Sequence, residues 1–134
     1  MNTKFIISSL VTAIASLMEG FLVHGMALHN DYARLPNLYR PESQAEGYFG
    51  YMLLAHLLIG IGLTWIYRRG REAGKSVLSQ GARFGAAIAV VSTIPMFLIY
   101  FAVQPVPSDL VAQQIVFDSI GMVVLGVIVA WLNK

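Results

Sequence analysis

The chain has 134 residues, enough for one domain, and 57% of them are hydrophobic while only 12% are charged. Soluble domains carry about 25% charged residues, so this composition predicts an integral membrane protein. The chain contains no cysteine, which excludes disulfides, thiolate metal ligands and cysteine nucleophiles. Its net charge is +2, and the basic residues lie beside apolar segments, so we predict no nucleic-acid partner.

The first predicted element is a membrane helix over residues 5–28. At about 1.5 Å per residue it spans roughly 36 Å, slightly more than a bilayer core of about 30 Å. The triplet Ala13-Ile14-Ala15 resembles a signal-peptide cleavage site, but the apolar run continues well past it, so we expect a retained helix. Glu19 lies deep inside this run, where a carboxylate costs at least about 2.5 kcal/mol unless it faces protein or water.

Residues 29–47 are predicted to form a long loop, because they contain helix-breaking pairs such as Pro36-Asn37. The amphipathic side chains of this loop are expected to cap the bundle or to rest on the headgroup region. They are Tyr32, Leu35, Leu38 and Tyr39. Loops of this length sometimes act as lids, and that alternative stays open.

Three further membrane helices are predicted over residues 48–67, 82–103 and 109–132. Ser108 or Asp109 is available as the N-cap of the last one. The sequence therefore predicts an all-α membrane protein, residues 1–134 forming a single domain of four transmembrane helices.

The third predicted helix carries two special signals. The pair Gly81-x-x-x-Gly85, continued by Ala89, suits close helix packing and also self-association. Pro95 removes a backbone donor, and Ser92 and Thr93 can either bond back to the chain or reach across to another helix.

Basic residues fall mostly on one side of the predicted membrane. Only Arg34 and Arg40 lie on the side of the long loop. The positive-inside rule then predicts that both termini are cytoplasmic and that this loop is external. The basic residues on the predicted cytoplasmic side are Lys4, Arg68, Arg69, Arg71, Lys75, Arg83 and Lys134.

Each predicted helix places an unusual residue at a similar depth. Glu19, His56, Asp118 and Pro95 all lie eight or nine residues from the predicted outer ends of their helices, which is roughly 12 to 14 Å. Polar residues also recur at spacings of three and four on the faces that carry these groups, as in Ser9, Thr12, Ser16 and Glu19. The predicted polar intramembrane layer comprises Glu19, His56, Thr93, Gln114 and Asp118.

Two further polar residues are secondary candidates nearer the outer end, namely His24 and Gln113. We expect His24 to hydrogen-bond Gln113, Tyr51 or Tyr100 rather than to ligate a metal.

Three interpretations of the layer are open. The first is a hydrogen-bond network that fixes helix register. The second treats Glu19 and Asp118 as a coupled carboxylate pair tuned by His56, which is the chemistry of proton or cation coupling. The third is haem or metal ligation by histidines, which the spacing disfavours, so no cofactor is predicted. The histidines concerned are His24, His29 and His56.

Motifs of soluble enzymes, such as the P-loop, G-x-S-x-G and H-E-x-x-H, do not occur in the sequence, and we predict that the chain is not an enzyme. The favoured function is interaction, as an accessory subunit of a larger membrane complex or as a homo-oligomer. The alternative is a small proton- or cation-coupled carrier or channel that uses the carboxylate pair.

The second half of the chain resembles an uncharacterised family of small bacterial four-helix membrane proteins. The resemblance rests on Gly81-Ala82-Arg83-Phe84-Gly85, Pro95 and Gly126-Val127-Ile128-Val129-Ala130-Trp131. It implies a four-helix fold in the bacterial inner membrane and no particular activity. The four-span layout is also similar to that of small multidrug-resistance transporters, in which a glutamate of the first helix is functional, and Glu19 would match it. Residues 29–47 depart from the short connections of those transporters.

Overall fold

The computed structural model describes residues 2–134, with the side chain of Glu42 left out. Within these residues every regular element is helical, and four helices are long and apolar enough to cross a membrane. This confirms the predicted all-α class and the number of spans. We call them the first to fourth spans, namely Thr3–Ala27, Ser43–Gly70, Val77–Val103 and Ser108–Leu132.

The spans consist of five long α-helices and two π-helical segments, and one short helix lies outside them. The elements in chain order are α1 (Thr3–Gly20), a π segment (Phe21–Ala27), α2 (His29–Ala33), α3 (Glu42–Gly70), α4 (Val77–Ile88), a second π segment (Ala89–Thr93), α5 (Ile94–Val103) and α6 (Ser108–Leu132).

Two predicted boundaries differ from the structure for identifiable reasons. Helix α3 begins six residues earlier than predicted, because Pro41 occupies the N-cap and the polar residues after it continue the helix beyond the apolar window. Neither Ser108 nor Asp109 caps α6, so that prediction was wrong. The N-cap is Pro107, whose extended backbone starts the helix without a side-chain hydrogen bond.

Both π segments lie where the α-helical hydrogen-bond pattern is broken. In the first span the Leu28 amide donates to the Val23 carbonyl, five residues earlier, at 2.8 Å. In the third span the π turn immediately precedes Pro95, which has no amide hydrogen to offer. The Ser92 hydroxyl donates to the Ile88 carbonyl at 2.7 Å, which confirms the predicted bond back to the chain.

The spans pack as two close pairs, each seated on glycine. In the pair of α1 and α3, a Cβ added at Gly60 would lie 2.7 Å from the Ala13 nitrogen, so these backbones approach where only glycine fits. In the pair of α4 and α6, a Cβ at Gly85 would lie 2.6 Å from Val123 Cα. The predicted close packing at Gly81 and Gly85 is thus confirmed, and both glycines pack against α6 of the same chain.

The two pairs meet mainly along α1 and α6. The polar stripe predicted on the first span faces this interior, since Ser9, Thr12 and Ser16 are all buried. Near the termini, the Asn133 amide donates to Ser8 Oγ at 2.7 Å, and the Lys4 ammonium donates to the Lys134 carbonyl at 2.7 Å. We call this the termini end of the bundle, and the opposite end the loop end.

A small apolar core closes the loop end. Its buried residues come from the end of the first span, from the third span and the turn after it, and from the start of α6. They are Leu28, directly after the first span, Phe97, Val106, Leu110 and Val111. Side chains of the long connection pack on this core, including Tyr32, Leu35 and Leu38. The predicted cap over the bundle is therefore present. The connection is shorter than the predicted loop, because α2 and the first turns of α3 are helical.

Candidate functional site

The first and fourth spans are joined by a polar contact near the loop end. His24 Nε2 lies 3.1 Å from Asp118 Oδ1, with the histidine side chain 36% exposed and the aspartate 15%. His24 is carried by the π segment of the first span, and Asp118 lies on the face of α6 that meets this span. Both groups are within the apolar length of their spans, where an ionisable side chain needs a partner.

Tyr32, which lies outside the membrane-spanning segments, contacts His24 on the side opposite to Asp118. It belongs to α2, which folds back over the bundle, and its Oη lies 2.5 Å from His24 Nδ1. Gln114, one turn before Asp118 on α6, donates from Nε2 to the same Tyr32 Oη at 3.0 Å. Burial raises the pKa of Tyr32 to about 12, so the phenol remains a hydrogen-bond donor at neutral pH.

Two of these contacts form a directional hydrogen-bond chain from Gln114 through Tyr32 to His24. Because the Gln114 amide nitrogen can only donate, the Tyr32 oxygen accepts from it and its own hydrogen points to His24 Nδ1. The proton of a neutral imidazole is then on Nε2, which lies 3.1 Å from Asp118 Oδ1. This is a close polar contact without hydrogen-bond geometry, so Asp118 Oδ1 is buried with no hydrogen-bond partner among residues 2–134. The hydrogen bonds run from Gln114 through Tyr32 to His24, and the 3.1 Å contact places Asp118 next to the histidine.

Glu19 lies near the Asp118 end of this series of contacts. Its carboxyl packs against Gly121, where an added Cβ would lie 2.5 Å from Glu19 Cδ. Gly121 is one turn after Asp118, and Glu19 is within electrostatic range of both Asp118 and His24. Glu19 Oε1 is buried and has no hydrogen-bond partner among residues 2–134. A second ionisable group with an open bonding position thus adjoins the chain.

Apolar cavities flank this group on two sides of the first span. One, of about 720 Å³, lies between the first span and the loop-end half of α3, and His24 and Tyr32 form part of its wall. The other, of about 430 Å³, lies between the first span and α6 and is lined in part by Glu19 and Gly121. We call the five residues Glu19, His24, Tyr32, Gln114 and Asp118 the polar cluster.

The structure brings together three members of the predicted layer, namely Glu19, Gln114 and Asp118. It does not bring His56 to them. His56 Nδ1 lies 2.8 Å from Ser16 Oγ, and the imidazole edge packs against Gly20, on the face of the first span that meets α3. Thr93 is buried in the π segment of the third span, outside the hydrogen-bond chain.

The predicted partners of His24 were wrong. His24 contacts Tyr32 and Asp118 rather than Gln113, Tyr51 or Tyr100, because the π turn alters the direction in which it leaves the helix and α2 folds back to meet it. Gln113 is half-buried beside Gln114 on α6. Within residues 2–134 no three His, Asp or Glu side chains converge as a metal ion requires, and the absence of a cofactor stays a prediction.

Comparisons with protein families, curated proteins and solved structures give no match to this chain. The function therefore has to be inferred from the polar cluster itself.

Sequence reasoning missed Tyr32 as a site residue and gave His24 a secondary place. The signal for Tyr32 was the recurrence of apolar or aromatic residues at 32, 35 and 38, which is helical spacing in a segment otherwise rich in turn residues. No comparable signal marks a π turn, because its residues satisfy an ordinary membrane-helix pattern.

Proposed function

We propose that this protein is a small proton- or cation-coupled membrane carrier or channel that works through the polar cluster. The observation that supports the proposal is the hydrogen-bonded series Gln114, Tyr32 and His24, in contact with two carboxylates, Asp118 and Glu19, each of which has a buried oxygen without a hydrogen-bond partner among residues 2–134. Gln114 only orients the Tyr32 hydroxyl, and a proton can pass by successive transfers between Tyr32, His24 and Asp118.

The division of roles follows from the donors and acceptors. Glu19 and Asp118 are the groups that bind a proton or small cation, since each offers carboxylate oxygens inside the membrane. His24 relays a proton between Tyr32 and Asp118, because its two nitrogens touch one group each. Tyr32 separates His24 from the aqueous loop end. Two open cavities with mostly apolar linings flank the cluster.

Glu19→Gln tests the proposal, with Glu46→Gln as the matched control. Glu46 is an exposed carboxylate at the start of α3, outside the cluster. Purified protein in liposomes containing a pH-sensitive dye should dissipate an imposed proton gradient, and Glu19→Gln should reduce the rate at least about tenfold, as loss of an essential proton-binding group does. Glu46→Gln should match the wild type, and insertion should be equal in all three.

Difference infrared spectroscopy gives a second readout that needs no transported substrate. The pH-dependent carboxyl signal of the wild type should contain a component from Glu19 that is missing in Glu19→Gln and retained in Glu46→Gln. If neither this signal nor the proton flux depends on Glu19, the proposal is wrong.

The alternative function, interaction as an accessory subunit or homo-oligomer, is favoured by a different feature. The loop-end part of α3, residues 43–55, is exposed around its whole circumference. Under this alternative, purification in a gentle detergent should yield a stoichiometric companion protein or a defined oligomer, and reconstituted protein should move no protons.

We place both termini in the cytoplasm of a bacterial cell, with the polar cluster in the outer half of the inner membrane. This proposal rests on the distribution of basic residues and on the resemblance to small bacterial four-helix proteins.

A further inference from the structure

Two adjacent arginines lie at the termini end of the bundle. Arg68 and Arg69 lie in the last turn of α3, and neither forms an ion pair with a carboxylate among the described side chains. The neighbouring charges are engaged, since Arg71 donates to the Asn133 carbonyl and Lys75 pairs with Glu72 at 3.4 Å. The two adjacent guanidinium groups are therefore exposed and available to bind an anion from outside the chain.

The two arginines border a built pocket. A cavity of about 400 Å³ lies between the start of α1 and the end of α3, and its walls are Asn2, Phe5, Trp65, Arg68 and Arg69. The guanidinium of Arg68 lies 5.7 Å from the centre of the Phe5 ring, and that of Arg69 lies 5.1 Å from the centre of the Trp65 ring. Cation–π contacts of this kind hold the charged groups in place while their N–H donors remain available.

The position of the pocket relative to the two spans indicates which class of ligand it fits. It lies where two apolar spans end, so one side faces hydrocarbon and the other faces water. Trp65 is 54% exposed, as expected of an indole in the headgroup region. Phospholipid phosphates lie at this depth, and paired guanidinium groups match phosphate oxygens in geometry as well as charge.

We propose that this pocket binds the phosphate headgroup of an anionic phospholipid, with Arg68 and Arg69 as the phosphate ligands and Phe5 and Trp65 against the glycerol and upper acyl region. The proposal is independent of the polar cluster, which lies at the other end of the bundle.

Trp65 provides the measurement. The chain has two tryptophans, so a Trp131→Phe background leaves Trp65 as the only fluorophore of its kind. Phosphatidylglycerol titrated into the detergent-solubilised protein should change Trp65 fluorescence in a saturable manner. Phosphatidylcholine, which has a phosphate but no net charge, should bind far more weakly, and inorganic phosphate should neither change the fluorescence nor compete.

Arg68→Gln/Arg69→Gln should weaken the binding of phosphatidylglycerol about thirtyfold, which corresponds to roughly fivefold for each basic residue. The matched control is Lys75→Gln/Arg83→Gln, which removes the same charge from the same end but outside the pocket. This control should retain most of the affinity. Arg68→Lys/Arg69→Lys keeps the charge and should lose an intermediate amount of affinity for phosphatidylglycerol. This variant replaces the glutamine variant in the test if the latter does not fold.

Three outcomes would overturn the proposal. Equal weakening in the two glutamine double variants would mean diffuse attraction of lipid to a basic surface. Competition by inorganic phosphate as strong as that of the lipid would mean a soluble phosphate ligand. Equal binding of phosphatidylcholine would mean that the site recognises acyl chains alone.

Discussion

At the scale of single residues, Tyr32 connects the capping segment to the membrane-spanning part of the chain. Its hydroxyl is the only group that touches both Gln114 and His24 in the hydrogen-bond chain. Its ring also packs edge-on against Tyr39, with centroids 4.8 Å apart, and contributes to the loop-end core. The ring therefore stabilises the cap, whereas the hydroxyl serves the polar cluster.

Tyr32→Phe separates these two roles, with Tyr39→Phe as the control. The variant keeps the ring packing but leaves Gln114 Nε2 and His24 Nδ1 without their partner, so it should lower the free energy of unfolding by about 1–3 kcal/mol. It should also slow proton flux in liposomes, whereas Tyr39→Phe should affect neither. Thermal unfolding followed by circular dichroism and the dye assay provide the two readouts. Unchanged flux in Tyr32→Phe, with Glu19→Gln inactive, would remove Tyr32 from the relay.

The same substitution has a signature at alkaline pH. The pKa of Tyr32 is about 12 in the folded chain against an ordinary value of 10.0. The contribution of the phenol to stability is thus complete below about pH 10 and is lost as the pH rises through about 12. Wild-type protein should lose stability over this interval more steeply than Tyr32→Phe.

At the scale of elements, the periodic parts of the spans were predictable and the irregular turns were not. Ser9, Thr12 and Ser16 are buried as their spacing predicted, because α1 follows regular α-helical geometry. Glu19 and Asp118 come together for the same reason. Beyond Gly20 the π turn changes the angle between successive residues, so helical spacing no longer gives the direction of His24. His56, on α3, lies at a matching depth, but it faces Ser16 of α1 rather than the polar cluster. The depth of a residue along its helix does not say which side of the helix it occupies.

The glycine at the contact between α4 and α6 leads to a prediction about how closely these two helices pack. Gly85→Ala should lower the free energy of unfolding by about 1–3 kcal/mol, because its Cβ would meet the backbone of Val123 at 2.6 Å and force α4 from α6. Gly62→Ala is the control, since nothing lies within 4 Å of its added Cβ. That change should be neutral or stabilise by up to about 1 kcal/mol through helix propensity.

Unfolding in a denaturing detergent, followed by circular dichroism, compares the two variants under one condition. Equal midpoints for Gly85→Ala and Gly62→Ala would contradict the close contact between α4 and α6.

At the scale of the whole molecule, both termini and the turn between α3 and α4 share one end of the bundle, and the capping segment occupies the other. The ends differ in charge. The termini end carries Arg68, Arg69 and other basic residues, while the loop end carries Asp31 paired with Arg34 at 3.5 Å. This asymmetry underlies both the proposed orientation and the proposed lipid site.

The absence of cysteine makes the orientation directly measurable. Asn37→Cys in the capping segment should react with a membrane-impermeant maleimide added to intact cells. Ala73→Cys, in the turn between α3 and α4, should react only after the membrane is permeabilised. Both positions are exposed, so access to reagent decides the result. The reverse pattern would invert the proposed topology and move the polar cluster to the cytoplasmic half of the membrane.

The division of the bundle into two glycine-seated pairs has a mechanical consequence. His24 belongs to the pair built on α1 and α3, and Asp118 to the pair built on α4 and α6. Rocking of one half against the other would therefore stretch the 3.1 Å contact between these two side chains while leaving the tight interfaces within each half intact. The contact between His24 and Asp118 thus lies at the boundary between the two halves of the bundle.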